Sequence, residues 1–361
     1  MITTKHAARR RFLSGAAASL AITRSAQESP LGATRDGGRL VHPGFLDLQV
    51  NGYAGVDFND PSTSGEDVQG ALAALRASGV TQVLPTLISG PRERFARCAR
   101  TLIQTGAPTI VGLHMEGPYI SPLEGARGAH GQEHVAPASL DDFKRRQEAA
   151  QNRIRLVTLA PEVPGALLLI EYLCEQGIRV AIGHTAASPE EIRDAVRAGA
   201  TLSTHLGNGC AQMLRRHPNF LWEQLAADEL LASLIVDGHH LPAATVKAMV
   251  RAKTPERVIL VTDATAAAGQ PPGEYKLGGL TVRLDGTGRV AVPGQPNLAG
   301  SALSMDRAVA NMVRFVGVSL PEALAMASTR PAAYLGIATT GSLELSWDQA
   351  AFMLRVVRVT E

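Results

Sequence analysis

The chain has 361 residues, of which 45% are hydrophobic, 19% charged and 4% aromatic. This composition is typical of a folded protein with a large core, and it excludes a disordered or fibrous chain. The formal net charge is +2, but the first 26 residues carry five basic side chains and no acidic one, so the remainder has a charge of −3. The charge of the chain therefore gives no support for binding to nucleic acid.

Residues 1–26 have the composition of a targeting segment. Arg9, Arg10 and Arg11 precede the apolar run Ser14–Ile22, which is too short to cross a bilayer as a helix. The pattern resembles a twin-arginine leader and predicts export to the periplasm. Because of Arg24, the end of this segment is a poor cleavage site. The alternative to an export leader is a basic N-terminal segment without a targeting role, and the protein would then be cytoplasmic. Since no other segment reaches transmembrane length, we expect no stable membrane insertion.

Residues 27–43 are expected to form a linker and a short strand, and the pattern becomes regular after them. Eight apolar runs rich in β-branched residues alternate with stretches that have helical spacing of apolar residues. The runs are GFLDLQV, TQVLPTL, TIVGLHM, IRLVTLA, RVAIGH, TLSTHL, LASLIV and RVILVTD. Eight such units in about 220 residues match a (β/α)8 barrel, whose usual size is about 250 residues. The prediction is an α/β fold with a TIM-like barrel core over residues 44–270.

The pattern changes again after the barrel core. Residues 271–300 alternate and contain Gly-rich turns, which predicts a β-hairpin insertion. Residues 301–336 contain two helical segments, Ser304–Val316 and Pro321–Leu335, expected as C-terminal barrel helices. Residues 337–361 read as a strand. We expect this strand to join the hairpin and the short N-terminal segment in a small, reduced β-layer.

Polar residues end several of the predicted strands. Glu116 ends the third run, His184 the fifth and His205 the sixth. The carboxyl ends of barrel strands meet at one mouth, so these side chains can converge there. Carboxylate and imidazole are usual ligands of a divalent metal ion that keeps one position open. We predict one such ion, with Zn2+ as the first choice and Fe2+ or another divalent metal as alternatives. A single strand-end histidine is more often structural, so the prediction depends on the joint occurrence.

Asp263 ends the eighth run and has no cationic neighbour in sequence. A carboxylate at that position is free to accept a proton as a general base. The alternative is a hydrogen-bond acceptor that caps the loop starting at Ala264. The fourth run contains no lysine, and the first ends in Gln49-Val50-Asn51 instead of a His-x-His pair, so one metal ion is expected and not two.

Seven ordered segments, spanning about residues 42–336, carry a family resemblance. They are HPGFLDLQVNGYAGVDFN, HMEGPYISPLEGARGAH, GHTAAS, THLGN, DGHH, VTDATAAAG and LAGSALSMDRAV. In these segments the chain resembles the N-acetylglucosamine-6-phosphate deacetylases of the amidohydrolase superfamily. The resemblance implies that Glu116, His184 and His205 hold the metal and that Asp263 is the catalytic acid and base. It also implies a homodimer, and a reaction that removes acetyl from a 2-acetamido sugar, first of all N-acetylglucosamine 6-phosphate.

The same resemblance implies the residues that contact the substrate. It suggests that His130 and His240 contact the sugar or its N-acetyl carbonyl and that Gln49 lines the pocket. Beside the phosphate it places Asn208, Gly209 and Arg216. Arg215 is a rival for the arginine, and both histidines could instead lie in surface loops.

Three departures from the family keep alternatives open. The chain has HLGNGC where the family usually has HLFNAM, which predicts a pocket with less bulk beside the phosphate. The β-layer must be smaller and leaves an exposed edge. An exported enzyme would also meet few sugar phosphates, so either the substrate is an unphosphorylated N-acetyl amino sugar or the leader does not direct export. The remaining alternatives are an amide hydrolase for N-acyl amino acids or cyclic amides, and a non-catalytic sugar-binding relic.

Overall fold

The structure is a computed structural model that describes residues 39–295 and 297–361. The predicted leader, residues 1–26, and the linker up to residue 38 lie outside the described residues. The strands are β1 (Arg39–Pro43), β2 (Phe45–Val50), β3 (Gly52–Tyr53), β4 (Val56–Asp57), β5 (Val80–Ile88), β6 (Leu113–Glu116), β7 (Ile154–Leu159), β8 (Arg179–Ile182), β9 (Leu202–Ser203), β10 (Leu231–Leu234), β11 (Val258–Leu260), β12 (Gly273–Leu277), β13 (Leu280–Leu284), β14 (Val290–Ala291), β15 (Ser342–Asp348) and β16 (Met353–Thr360).

Helices follow most of the barrel strands. They are α1 (Gly65–Ala77), α2 (Arg92–Gln104), α3 (Leu140–Ala149), α4 (Ala166–Glu175), α5 (Pro189–Ala198), α6 (Phe220–Ala226), α7 (Ala243–Lys253), α8 (Met305–Val316), α9 (Leu320–Ala327) and α10 (Thr329–Leu335), with 3-10 turns at Gln132–His134 and Pro255–Arg257. Within the described part of the chain, no helix has the length and apolar character needed to cross a bilayer.

Eight parallel strands form the central sheet, in the order β11-β10-β9-β8-β7-β6-β5-β2. The two edge strands meet just beyond their carboxyl ends, where Asp263 N–H donates to the Gln49 carbonyl at 2.9 Å and Asn51 N–H donates to the Ala264 carbonyl at 2.7 Å. These bonds close the sheet at the mouth where parallel barrels carry their sites. The predicted (β/α)8 barrel is therefore confirmed.

Capping fixes where the helices begin, and α5 shows how this affects the barrel mouth. The Ser188 hydroxyl accepts the Glu191 N–H, the Glu191 carboxylate accepts the Ser188 N–H, and Pro189 occupies the first turn. This capping box ends the loop after β8 at a defined residue. The loop that carries His184 is consequently short and held at both ends.

The C-terminal tail differs from its prediction. It is not one strand: β15 and β16 pair antiparallel, and β1 pairs with β15, so that three strands form the small β-layer. The predicted helix Pro321–Leu335 is also interrupted, because Ser328 leaves the helical conformation and its hydroxyl donates to the Leu324 carbonyl at 2.7 Å. A reduced β-layer is confirmed, but it is built from a hairpin.

The insertion was wrongly assigned to that β-layer. Instead, β12, β13 and β14 form a separate antiparallel sheet. Its buried side chains, including Leu277 and Val282, make their own apolar cluster, against which Ile88 and Ala129 of the barrel mouth pack. This contact explains the difference, since the insertion buries its apolar face on the barrel mouth and not on the tail strands.

Candidate metal centre and active site

Three polar residues at the barrel mouth adopt an uncommon backbone conformation. His184, His205 and Asp263 follow the ends of β8, β9 and β11 by two or three residues, and their φ angles are +50°, +29° and +51°. Positive φ in residues other than glycine costs on the order of 1–3 kcal/mol and persists where the surroundings impose it. For His205 one such contact is its N–H donated to the Ser233 hydroxyl at 2.8 Å. The strained turns aim the three side chains into the mouth.

Glu116, His184 and His205 form a compact buried cluster. Glu116 Oε1 lies 3.1 Å from His205 Nε2 and 3.3 Å from His184 Nε2, and the two Nε2 atoms are 3.1 Å apart. Ligand atoms around one tetrahedral zinc ion, with bonds of about 2.0–2.2 Å, lie about 3.3–3.6 Å from one another. The three atoms lie within a few tenths of an ångström of that spacing, so they can surround a single divalent ion.

The hydrogen bond of His184 shows which of its nitrogens faces this cluster as an acceptor. His184 Nδ1 lies 3.0 Å from the Ala126 carbonyl, which can only accept, so Nδ1 carries the proton. The Nε2 lone pair then faces Glu116 Oε1, another acceptor. Two acceptors at 3.3 Å repel each other unless a cation or a proton lies between them. The donor set therefore fits a divalent metal ion.

A second set of possible ligands overlaps the first. Ligand atoms of Glu116, His130 and His184 lie within 4.8 Å of one another. Both sets share Glu116 and His184, so the question is whether His205 or His130 completes the site. The spacing favours His205, because its Nε2 is 3.1 Å from both other ligand atoms.

Two glycines pack against the His184 ring. A Cβ atom at Gly209 would lie 2.7 Å from His184 Nδ1, and one at Gly128 would lie 3.0 Å from His184 Cε1. Both glycines also have positive φ, +56° and +60°. A larger residue at either position is therefore disfavoured both by contact with the His184 ring and by the positive φ. Gly209, which the resemblance assigns to the phosphate, lines the cavity and also fixes the position of a predicted ligand.

The pKa values of the two acidic side chains of the site are shifted in opposite directions. Burial raises the pKa of Glu116, but hydrogen bonds and charge interactions with His184 and His205, which require a proton between Glu116 and each ring, outweigh burial and hold that pKa well below its usual range. Burial and the nearby Glu116 charge raise the pKa of Asp263 to about 8, against the opposing effects of His205 and Asn51. Glu116 is thus a permanent carboxylate, whereas Asp263 can exchange a proton near neutral pH.

A cavity of about 500 Å³ opens above the cluster. This volume lies within the usual range for small-molecule sites. The predicted site residues that line it are Glu116, His130, His184, His205, Asn208, Gly209, His240 and Asp263. Gln49 does not line it but lies behind the cluster, where its Nε2 donates to Glu116 Oε1 at 2.8 Å. Arg216 is exposed and lies outside the cavity lining.

Two histidines outside the predicted ligand set face the same cavity. His240 is held by Asp237, whose Oδ2 lies 2.7 Å from His240 Nδ1, and both side chains are nearly buried. His130 packs edge-on to the His184 ring, with centroids 4.4 Å apart. Burial and the neighbouring His184 lower the pKa of His130 to about 3, so it is neutral. The site therefore offers neutral as well as charged polar groups to a ligand.

An apolar wall completes the cavity. Ile88 and Leu277 line one side of it. The turn after Leu277 is anchored to the barrel, because Gly278 N–H donates to Asp57 Oδ2 at 2.7 Å and Arg94 Nη1 donates to the Gly278 carbonyl at 2.9 Å. The insertion that carries Leu277 is thus a fixed part of the site.

Three residues of the site were not identified from the sequence: Asn51, Ser89 and Asp237. Asn51 Nδ2 donates to Asp263 Oδ1 at 2.6 Å. Its position two residues after Gln49, on the same strand end, was a usable signal. Asp237 stands three residues before His240, a local spacing that also could have been recognised. Ser89 contacts His130 across 41 residues, and nothing in the local sequence indicates it.

Comparison with known proteins agrees with this geometry. The amidohydrolase family model matches residues 40–348. The N-acetylgalactosamine-6-phosphate deacetylase of Escherichia coli O157:H7 is 37% identical over 323 residues, which cover 87% of this chain and 83% of that protein. The human N-acetylglucosamine-6-phosphate deacetylase is 36% identical over 329 residues, 86% of this chain and 78% of that protein.

Solved structures show the same relationship. A variant of the N-acetyl-D-glucosamine-6-phosphate deacetylase of Mycobacterium smegmatis, in complex with N-acetyl-D-glucosamine-6-phosphate, superposes with a TM-score of 0.80 at 31% identity, covering 88% of this chain and 84% of that one. The deacetylase of Thermotoga maritima gives a TM-score of 0.78 at 28% identity, with 89% and 87% covered. The chain therefore belongs to the amidohydrolase family and, within it, to the N-acetylglucosamine-6-phosphate deacetylases.

Proposed function

We propose that the chain hydrolyses the acetamide of a 2-acetamido sugar 6-phosphate, giving acetate and the amino sugar phosphate. N-acetylglucosamine 6-phosphate is the first candidate, and the 37% identical relative named for the galactosamine isomer makes that epimer the second. The observation that carries the proposal is the buried cluster of Glu116, His184 and His205, which lines one cavity together with Asp263.

The proposed reaction divides the residues of the site into those that hold a metal ion and those that transfer a proton. Glu116, His184 and His205 would hold one divalent ion, proposed to be Zn2+, which when bound supplies a Lewis acid and lowers the pKa of water. Asp263 takes a proton from the attacking water and returns it to the departing nitrogen. Asn51 orients the Asp263 carboxylate through the 2.6 Å hydrogen bond.

For the sugar and its phosphate we propose groups at the open side of the cavity. His240, held by Asp237, contacts the sugar. Asn208 and Gly209 line the cavity in the loop after β9. Arg216 follows in the same loop and forms no ion pair with any residue in the described ranges, so its charge is available to an anion. Replacing Arg216 with alanine should raise the KM for the phosphorylated sugar, and the rival Arg215→Ala serves as the comparison.

We further propose export and dimerisation, as implied by the leader and by the resemblance. Residues 1–26 fused to a folded reporter should be exported, and replacement of Arg10 and Arg11 with lysine should stop export. Light scattering of the purified full-length chain should give twice the monomer mass. A reporter that stays in the cytoplasm or a monomeric mass would overturn the respective proposal.

A substrate panel tests the reaction itself. Acetate release by the metal-loaded protein is measured from N-acetylglucosamine 6-phosphate, its galacto epimer, free N-acetylglucosamine and an N-acetyl amino acid. We expect the highest kcat/KM with one of the two phosphorylated sugars. A preference for the free sugar would contradict the phosphate requirement. Activity on the amino acid derivative alone, or no acetate from a protein with stoichiometric metal, would contradict the proposed function.

A further inference from the structure

We infer that Ser89 is a positioning residue that fixes the tautomer of His130, so that His130 presents an Nε2–H donor to the cavity. The inference rests on the proposed function only for its catalytic consequence. The tautomer itself follows from contacts within the protein.

The contacts between these two residues identify the protonated nitrogen of His130. Ser89 directly follows β5 and is 2% exposed. Its N–H is directed at His130 Nδ1 at 3.4 Å, and its Oγ lies 2.9 Å from the same nitrogen. A backbone N–H can only donate, so Nδ1 must be an acceptor. The proton of a neutral imidazole then resides on Nε2, and the Ser89 hydroxyl also donates to Nδ1.

Neighbouring groups hold Ser89 in this position. Its carbonyl accepts from Arg94 Nη2 at 2.6 Å, and the next carbonyl, of Gly90, accepts from Arg146 Nη2 at 3.2 Å. The hydroxyl lies over the backbone of Gly117, where an added Cβ would be only 2.2 Å from Ser89 Oγ. Ser89 therefore has little freedom to turn away from His130.

The fixed tautomer assigns His130 a role that differs from metal ligation. An Nε2 atom that carries a proton has no lone pair for a metal ion, and Nδ1 is occupied by Ser89. The resemblance already places His130 beside the sugar or its N-acetyl carbonyl. What Ser89 adds is the tautomer in which Nε2–H can donate to that carbonyl oxygen, where negative charge develops during attack. His205 then remains the third ligand beside Glu116 and His184.

Nitrogen NMR on the zinc-loaded full-length protein tests the inference without any substrate. With 15N-labelled histidine, and with His130→Gln to assign the signal, we expect His130 Nδ1 to resonate as an unprotonated acceptor and Nε2 as a protonated nitrogen. In Ser89→Ala the hydroxyl contact of 2.9 Å is lost and only the longer backbone contact of 3.4 Å holds the tautomer. The tautomer with the proton on Nδ1 should then gain population, which moves the averaged Nδ1 signal toward the protonated position. A protonated Nδ1 in the unmodified protein, or a His130 signal unchanged in Ser89→Ala, would overturn the inference.

Kinetics supply the catalytic readout. Ser89→Ala should lower kcat by about 10- to 100-fold with little change in KM, because the donor acts mainly in the transition state. Ser89→Thr, which keeps the hydroxyl, should restore most of the kcat. Ser203→Ala is the matched control, since this buried hydroxyl has no hydrogen-bond partner among the residues that the structure describes. Equal kcat in Ser89→Ala and Ser203→Ala would refute a positioning role and leave the deacetylase function intact, whereas a protein that releases no acetate would still yield the NMR result.

Discussion

The hydrogen bond from Asn51 to Asp263 offers a quantitative test of the proposed base. Asn51 Nδ2 donates to Asp263 Oδ1 at 2.6 Å, and both side chains are buried. A hydrogen bond to a charged group contributes about 1.5–3 kcal/mol. At about 1.4 kcal/mol per tenfold change in rate, Asn51→Ala should lower kcat about 10- to 150-fold.

For a second substitution at the same position, Asn51→Asp, we expect a larger loss of kcat at neutral pH. Asn51 lowers the pKa of Asp263, so its removal should move the acidic limb of the kcat profile to higher pH. In Asn51→Asp a second carboxylate would face Asp263, which raises that pKa further because like charges disfavour each other. The order of kcat at neutral pH should therefore be unmodified protein, then Asn51→Ala, then Asn51→Asp.

The assay is the initial rate of acetate release between pH 5 and pH 9, with metal content measured in each sample. Thermal unfolding of each variant shows whether the fold is retained. A kcat of Asn51→Ala within twofold of the unmodified value, with no shift of the acidic limb, would refute the assignment of Asn51 as the residue that orients the base.

Three further predictions concern the metal and the cavity. Gly209→Ala should weaken metal binding at least tenfold in a chelator competition, because its Cβ would lie 2.7 Å from His184 Nδ1, whereas Gly317→Ala, with similar positive φ but no atom within 4 Å, should not. Removal of the metal should lower the Tm, since free metal at 100 times its Kd stabilises by about 2.7 kcal/mol; equal Tm values would argue against a resident ion. His240→Ala should lower kcat/KM at least tenfold and His239→Ala should not, and equal losses would contradict the placement of His240 beside the substrate.

The strand-end residues could be predicted because position along a barrel strand determines which mouth a side chain faces. Glu116, His184, His205 and Asp263 come from four strands, yet the closed sheet brings them to one cavity. The part played by Ser89 could not be predicted, since it depends on how the loop that carries His130 folds back over β5.

The prediction of a single strand in the C-terminal tail was wrong for a local reason. The turn between β15 and β16 contains neither glycine nor proline, and it is held by the Asp348 carboxylate, which accepts the N–H groups of Ala350 and Ala351. Phe352 adopts a φ of +47°, which the residue type does not suggest. Because such a turn lacks the residues by which turns are predicted from sequence, the two strands were predicted as one.

The most direct test of the account is the turnover of Asp263→Asn at full metal occupancy. The variant keeps the size of the side chain but cannot accept the proton, so we expect unchanged metal stoichiometry and Tm and a kcat at least 100-fold lower. The same measurement with turnover close to that of the unmodified protein would contradict the assignment of Asp263 as the base, and with it the proposed mechanism.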